Sequence, residues 1–304
     1  MSILSTTLFP NWGVFLSVSF GVEDLEEHIR NVLMTDFVKK SSPVSTLIVA
    51  PPERDKSNTV VKFQGKTVLT LNDLTAWGLM KEIEKHTING KCEFGHLIIP
   101  DLTRLTARSR SVRKELLTTL QILMAEGMKG IHTYNIDVHF KKPLKLGVIG
   151  CITRLDLKDR RNVWSKTGLL SRFIPFSFDY DEQLKVNILK FINKDESLKQ
   201  ETIKIRKQRV KNVIVPEEIQ LHLENDARRT AFNIEQFCRT PVEDRVFGAR
   251  ALNELSTYVK AIALRHSETT VTDYHYQLFS RYFHYFNYNC PLILPRNVKG
   301  DTDG

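Results

Sequence analysis

The chain has 304 residues, of which 41% are hydrophobic and 26% are charged, enough for one large or two moderate globular domains with a sizeable core. Lys and Arg outnumber Asp and Glu by 44 to 35, which gives a formal net charge of +9. This balance favours an acidic partner such as nucleic acid, although solvated surface charge accounts for it equally well. No apolar run is long enough to span a membrane, so a soluble, cytoplasmic protein without a membrane partner is expected.

The cysteines are widely separated and form no CxxC pair: Cys92, Cys151, Cys238 and Cys290. Their spacing argues against a zinc site and, in a chain of this length, against a disulfide scaffold. A reducing, intracellular setting is therefore expected.

The N-terminal elements lead up to a buried strand. Residues 1–21 are expected to form an extended arm that packs on the body. Residues 22–40 predict an amphipathic helix, because apolar residues recur at helical spacing, with acidic residues in the first turn and lysines at the end. Residues 41–43 (Ser-Ser-Pro) end this helix, and the apolar run 45–50 predicts the first strand.

The segment after this strand has the layout of a phosphate-binding loop. In the consensus GxxxxGK[ST], the glycines let backbone N–H groups face phosphate oxygens, while Lys reaches the outer phosphates and the hydroxyl reaches Mg²⁺. Here the spacing up to Lys56 and Ser57 is kept, but Ala50 and Asp55 occupy the glycine positions. Asp tolerates a positive φ better than most residues, yet its carboxylate would lie close to a polyphosphate. The motif therefore predicts weakened nucleotide binding, and the alternative is a chance match.

The core continues with two strands and two helices: strand 67–71, helix 72–85, strand 94–99 and helix 111–124. Asn72 is the expected cap of the first of these helices, and Gly127 closes the second. The strand at 94–99 is nearly all apolar, which is typical of a parallel sheet covered on both faces.

Asp101 follows that apolar strand, where a Walker B acid would hold Mg²⁺ or orient water. The usual pair is Asp-Glu, and only one carboxylate is present here. Either Asp101 corresponds to the metal-binding Asp, with Leu102 after it, or it corresponds to the catalytic Glu, with Pro100 in place of the Asp. The structural alternative is that Asp101 only caps the next segment.

Residues 131–140 alternate between apolar and polar side chains, and residues 144–152 are continuously apolar. Because residues 141–143 (Lys-Lys-Pro) join the two runs, they predict a β-hairpin with a basic tip or bend. The second run ends at Thr153, whose hydroxyl is placed either to bond a γ-phosphate or attacking water, or only to begin a loop.

The C-terminal part is predicted to be helical, with helices at 217–238 and 249–265 and a third that begins near Val271. Aromatic residues along the third helix are expected to be core rather than a base-stacking surface. The predicted domains are an arm (1–21), an α/β core (22–192), a linker (193–214), a helical lid (215–290) and a tail (291–304).

Taken in order, these segments resemble an AAA+ ATPase module and, within that family, the clade that includes the minichromosome-maintenance helicases. The resemblance covers roughly residues 22–286. Residues 50–57 resemble the phosphate loop, 97–105 resemble Walker B, and 125–135 resemble the segment that leads into the pre-sensor hairpin. Thr153 falls near sensor 1.

Two further motifs carry the resemblance. Residues 168–173, with the sequence GLLSRF, are similar to the "LLSRF" arginine-finger box, which makes Arg172 the candidate finger. Residues 248–255, followed by Val-Thr-Asp at 271–273, resemble the sensor 2 helix and the helix after it, with Arg250 as the sensor arginine.

The resemblance implies an α/β fold of the AAA+ (P-loop NTPase-like) class, with a parallel-sheet core flanked by helices and a C-terminal α-helical lid domain. It also implies that ATP lies between subunits. Lys56 would then neutralise the β and γ phosphates, Ser57 and Asp101 would hold Mg²⁺, and Thr153 would read the γ-phosphate.

The same resemblance implies that Arg172 reaches a neighbouring subunit's nucleotide and that Arg250 couples the lid to the same phosphates. Lys141, Lys142 and Lys145 become candidates for contact with nucleic-acid phosphates.

Three functional interpretations remain open at this point. The first is an oligomeric ATPase-like protein, helicase- or loader-like, with weak or lost hydrolysis, that acts on or near DNA. The second is a catalytically dead scaffold or regulatory subunit that holds an unknown protein partner. The third is an unrelated basic α/β protein that matches the motifs by accident.

Overall fold

The computed structural model describes residues 22–133, 135–192, 202–241 and 248–293. The strands are β1 (Thr46–Ala50), β2 (Phe63–Gln64), β3 (Val68–Thr70), β4 (Thr87–Ile88), β5 (Lys91–Cys92), β6 (His96–Ile99), β7 (Met128–Thr133), β8 (Ile136–Leu144), β9 (Gly147–Thr153), β10 (Ile174–Ser177) and β11 (Ile203–Lys204). The helices are α1 (Glu23–Met34), α2 (Lys56–Val61), α3 (Ala76–Lys85), α4 (Leu102–Thr106), α5 (Arg110–Met124), α6 (Arg154–Lys166), α7 (Glu182–Ile192), α8 (Glu217–Cys238), α9 (Ala249–Arg265) and α10 (Asp273–Ser280).

A five-stranded parallel sheet forms the centre, in the order β10-β1-β9-β6-β3. Every residue of β1 is buried, because helices cover both faces of the sheet. Alternate residues of β1 enter two hydrophobic clusters: Leu47 and Val49 pack with α3, α5 and α6, whereas Ile48 and Ala50 pack with α1, α9 and α10. The predicted fold class, an α/β parallel-sheet core flanked by helices and followed by C-terminal helices, is confirmed.

Two predicted helix boundaries are wrong. The first helix ends at Met34 and continues only as a 3₁₀ turn, Thr35–Phe37, because the Thr35 hydroxyl donates to Val32 O and accepts from Val44 N, which turns the chain toward β1. Helix α3 begins at Ala76, and its cap is Thr75, whose hydroxyl accepts from Gly78 N at 3.0 Å. Asn72 is therefore not the cap.

The predicted β-hairpin is also wrong in its partners. Strand β8 pairs antiparallel with β7, from Thr133 opposite Ile136 back to Met128 opposite Leu144, whereas β9 enters the parallel sheet. The lysines of residues 141–143 therefore lie near the base of the hairpin and not at its tip. Gly127, with a φ of 84°, lets the chain leave α5 and enter β7 directly.

The C-terminal helices α8 and α9 have the predicted bounds. Pro216 precedes α8, and Gly248, with a φ of 86°, precedes α9. On the third helix and the turn after it, Phe279, Tyr285 and Phe286 are buried, so the prediction that these aromatics are core is confirmed for them.

A buried polar contact joins these helices to the sheet. The His28 ring lies 2.9 Å from the Tyr258 hydroxyl of α9 through Nδ1 and 2.9 Å from the Thr46 hydroxyl of β1 through Nε2. Burial lowers the pKa of His28 to about 3, so the ring is neutral. This neutral contact lies within one hydrophobic cluster that extends from α1 through β1 to α9.

The predicted arm (1–21) lies outside the described residues, as does most of the tail. Of the predicted linker, residues 202–214 are described; they include β11, which pairs with β2, and Lys211, which bridges to Val38. Within the described ranges, no helix combines the length and apolar character needed to cross a bilayer.

Candidate functional site

The loop between β1 and α2 adopts the backbone conformation that the phosphate-loop spacing predicts. Asp55 has a φ of 52° and a ψ of 14°, in the left-handed region that glycine usually supplies. Its carboxylate accepts from Asn58 Nδ2 at 2.7 Å, and its carbonyl accepts from the Thr59 hydroxyl at 2.7 Å. These two bonds stabilise the loop without a glycine.

Lys56 begins α2 and points into the loop. Its side chain is buried, with 9% of the residue exposed, and Nζ donates to Pro51 O at 3.2 Å. Burial lowers the pKa of Lys56, and the nearby Cys151 and Asp101 oppose that effect. A phosphate would therefore replace a carbonyl contact that the ammonium already makes.

Ser57 and Asp101 lie at the same end of the sheet. The Ser57 hydroxyl donates to Pro100 O at 2.7 Å, which joins the loop to the end of β6. Asp101 caps α4 by accepting from Thr103 N at 2.9 Å, and its side chain is 41% exposed. Their oxygen atoms suit Mg²⁺, which takes carboxylate, hydroxyl and phosphate oxygens, once these two bonds are exchanged.

Thr153 ends β9 and caps α6. Its hydroxyl donates to Asp156 Oδ2 at 2.5 Å and accepts from Asp156 N at 3.1 Å. The Thr103 hydroxyl donates to the same Asp156 oxygen at 3.1 Å. Asp156 therefore brings a second carboxylate beside the segment that resembles Walker B, and sequence reasoning missed it, although Thr-x-x-Asp has capping-box spacing.

These side chains share one edge of the sheet because β1, β9 and β6 are adjacent and parallel. We call this the carboxyl edge, defined by Lys56, Ser57, Asp101 and Thr153.

Arg172 and Arg250 lie together elsewhere. Arg172 ends a 3₁₀ turn, Leu170–Arg172, just before β10; its Nη1 donates to Gly168 O at 2.6 Å, and its Nη2 lies 3.3 Å from a Glu126 oxygen. The Nη1 atom of Arg250 donates to the Ser171 hydroxyl at 3.0 Å. Both arginines line a cavity of about 680 Å³ together with Glu254.

This cavity lies at the other end of the sheet. Strands β1 and β10 are parallel, with Thr46 opposite Ile174, so Arg172 precedes the amino end of β10 while Lys56 follows the carboxyl end of β1. At about 3.3 Å per residue, the strand length alone separates the two by on the order of 15 Å. We call the position of Arg172 and Arg250 the amino edge.

The electrostatics of the amino edge depend on Glu254. Burial raises its pKa to about 8, an effect that Arg250 and Arg172 partly oppose. At neutral pH Glu254 is therefore mostly protonated and leaves the two arginines without its charge. The Nε atom of Arg172 is buried and finds no acceptor among the described residues.

The segment between β10 and α7 braces the loop between β1 and α2, which no sequence pattern indicated. Arg54 Nε donates to Asp179 at 2.7 Å, and the Tyr180 hydroxyl donates to Arg54 O at 3.1 Å. Asp179 in turn pairs with Leu292 through a short parallel bridge.

The three candidate nucleic-acid lysines are not equivalent. Lys141 and Lys142 are exposed on β8, whereas Lys145 is half-buried beside Gly127. The Lys141 backbone N–H donates to Gly90 O at 3.1 Å, which fixes this part of the strand to the β4–β5 turn.

No protein-family model matches the chain, and no curated protein matches it significantly. The solved structures that resemble it include one described as a "putative ATPase" from Cytophaga hutchinsonii. That structure is 11% identical over 89% of this chain and 82% of the other, with a TM-score of 0.47. The fold class stated above follows from the sheet order and the strand connections.

Proposed function

We propose that this chain is a cytoplasmic AAA+-type protein of the minichromosome-maintenance-like clade that binds Mg-ATP weakly between two copies of itself and acts on or near DNA. The observation that carries the proposal is the division of the candidate residues between opposite edges of one sheet. An arginine at the amino edge is too far from its own Lys56 to serve the same nucleotide, so a complete site needs a second chain.

At the carboxyl edge, Lys56 would neutralise the β and γ phosphates beside the backbone of Ala50 and Asp55. Mg²⁺, when bound by Ser57 and Asp101, would supply charge stabilisation for the phosphates. Binding would be weak, because the phosphate must displace Pro51 O from a buried ammonium and must also approach the Asp55 carboxylate.

Asp156 would act as a positioning residue in this site. By accepting from Thr153 and Thr103, its carboxylate fixes one hydroxyl at the end of β9 and the other in the first turn of α4. Thr153 would then be held at the end of β9, where a sensor 1 residue is expected to read the γ-phosphate.

At the amino edge, Arg172 and Arg250 would meet the phosphates of the neighbouring copy. The buried, unpaired Nε of Arg172 and the raised pKa of Glu254 both favour the arrival of an anion there. An arginine supplied by a neighbour stabilises the charge that develops on a transferring phosphoryl group.

Titration calorimetry with Mg-ATP tests the binding step in the wild type and in Lys56→Ala. We expect saturable binding in the wild type and none in the variant, with Lys66→Ala, an exposed lysine beyond α2, as the matched control. Equal binding by the wild type and Lys56→Ala would contradict the proposal.

The nucleic-acid part of the proposal rests on the net charge of +9 and on Lys141, Lys142 and Lys145. Fluorescence anisotropy with a single-stranded oligonucleotide should show affinity that falls steeply with salt, because phosphate contacts release counterions. A triple alanine variant of these lysines should lower the salt slope, whereas the exposed triple Lys66, Lys114 and Lys158 should not. If no binding is detected, or if the affinity does not change with salt, nucleic acid is not a partner of this protein.

The second candidate function is a scaffold or regulatory subunit with a dead site that holds a protein partner. The existing bonds of the carboxyl edge favour it: Lys56 binds Pro51, Ser57 binds Pro100, and Asp101 caps α4. Self-association without Mg-ATP binding would support this candidate, and ATP binding lost in Lys56→Ala would refute it.

A further inference from the structure

Three potential metal ligands lie together outside the site described above. His132 on β7 and Asp137 and His139 on β8 are all exposed, and one ligand atom from each lies within 4.8 Å of the others. The His132 and His139 rings are tilted with their centroids 4.5 Å apart, and His132 Nδ1 lies 2.7 Å from an Asp137 oxygen.

The hairpin register explains this grouping. His132 is directly opposite Asp137, and His139 is opposite Gly130, so the three side chains stand on one face. The other face carries Ile131 and Ile136, which are buried against the body.

Gly130 makes room for the group. A Cβ at this position would lie 2.9 Å from His132 Nε2 and 2.9 Å from the backbone oxygen of Val138, so any side chain would displace the ring or shift the strand beside it. The absence of a side chain at Gly130 therefore leaves space on the face of the hairpin that carries His132, Asp137 and His139.

The distribution of histidines is also unequal across the chain. Of nine histidines, all within the described ranges, only His132, His139, His222 and His266 are exposed. Two of those four, His132 and His139, lie on the same face of the hairpin as the carboxylate of Asp137.

We infer that His132, Asp137 and His139 form a Zn²⁺ site that crosslinks the two strands of the hairpin. Two imidazoles and one carboxylate, with a fourth position open to water, form a ligand set that zinc takes in tetrahedral geometry. At Zn–N and Zn–O distances of about 2.0–2.2 Å, the ligand atoms need spacings of about 3.3 Å, within reach of exposed side chains that lie this close. The site uses no cysteine, which is why the cysteine spacing did not indicate it.

Zn²⁺ titration into the full chain, after metal removal and in competition with a chromophoric chelator, tests the inference. We expect one equivalent to bind and excess Mg²⁺ not to displace it, because Mg²⁺ prefers oxygen ligands. His132→Ala and His139→Ala should each weaken binding by at least about 10-fold. The exposed His222→Ala, on α8, is the matched control and should bind as the wild type does.

Two further variants separate a metal site from an ordinary ion pair. Gly130→Ala keeps all three ligands but disturbs their spacing through the His132 ring and the Val138 backbone, and Asp137→Asn keeps the side-chain shape but removes the charge; both should weaken binding. Zn²⁺ should also slow proteolysis at the hairpin tip in the wild type and not in His139→Ala. If the folded wild type binds no Zn²⁺, or if binding is unchanged in both histidine variants, the inference is overturned.

Discussion

The two edges of the central sheet differ in how their charged groups are occupied. At the carboxyl edge, the protein itself supplies the partners of Lys56, Ser57 and Asp101. At the amino edge, Arg172 and Arg250 also have partners within the chain. Both line a cavity of about 680 Å³, however, and the Arg172 Nε atom lacks an acceptor among the described residues. The candidate residues of the carboxyl edge are therefore engaged within the chain, whereas the amino edge keeps one buried donor unused beside a cavity.

The largest expected effect concerns the need for both edges. We expect Lys56→Ala to abolish Mg-ATP binding and Arg172→Ala to weaken it by about 10-fold, because the phosphates lose a positive charge that the neighbouring copy supplies. An equimolar mixture of the two variants should regain binding, since some interfaces pair an intact loop with an intact arginine. The exposed Arg228→Ala, on α8, is the control for loss of an arginine. Failure of the mixture to recover, with each variant folded and associated, would contradict a site shared between chains.

The second effect concerns the charge state of Glu254 at the amino edge. Its pKa is raised from 4.5 to about 8, so between these values the folded chain keeps a proton that the unfolded chain loses. Stability should therefore fall as pH rises from about 5 to about 8 and then level off, by about 2 kcal/mol after allowance for partial exposure.

Urea unfolding at pH 5.5 and pH 8 measures this effect. The fall between the two pH values should be smaller in Glu254→Gln, which stays neutral throughout. An equal fall in the wild type and the variant would show that Glu254 does not titrate in this range.

The third effect concerns the Asp55 carboxylate at the carboxyl edge and its influence on the affinity for Mg-ATP. Asp55→Gly should raise the affinity for Mg-ATP about 5-fold or more, because it removes a negative charge a few ångströms from the phosphates, worth about 1 kcal/mol in a solvated site. Asp55→Asn is the matched control, since its side chain keeps an oxygen for Asn58 and tolerates the φ of 52°. Both should bind more tightly, and calorimetry would contradict the interpretation if neither did.

The smallest effect concerns the bond between the loop and β6. Ser57→Ala should lower the free energy of unfolding by about 1 kcal/mol, because Pro100 O loses its hydrogen bond from the Ser57 hydroxyl. Ser111→Ala, an exposed serine on α5, should be close to neutral in the same urea titration. A neutral Ser57→Ala would mean that water replaces the bond fully.

The sequence was most informative where a pattern is local. The apolar run of β1, the Pro216 start of α8 and the Gly248 start of α9 each follow from spacing within one segment. The hairpin was wrong because β8 and β9 are consecutive in sequence and both rich in apolar residues, yet each pairs with another strand. Consecutive strands of suitable pattern do not by themselves define a pair.

The candidate site was harder to predict because it depends on contacts distant in sequence. Asp156 bonds Thr103 from 53 positions away, and Arg250 bonds Ser171 from 79 positions away. The hydrogen bonds of Lys56 and Ser57 depend on the three-dimensional path of the loop, which a sequence motif does not specify. The roles of Asp101, Thr153, Arg172 and Arg250 in nucleotide chemistry stay predictions.

The buried His28 has a consequence for the slow dynamics of the molecule. Its ring bonds Thr46 in the sheet and Tyr258 in α9, and Arg265 of α9 bonds Asn31 of α1. Moving α9 alone away from the sheet would strip the neutral imidazole of a buried partner at a cost in free energy. Amide hydrogens of α1 and α9 should therefore exchange with solvent as one cooperative unit, and any hinge motion should carry both helices together.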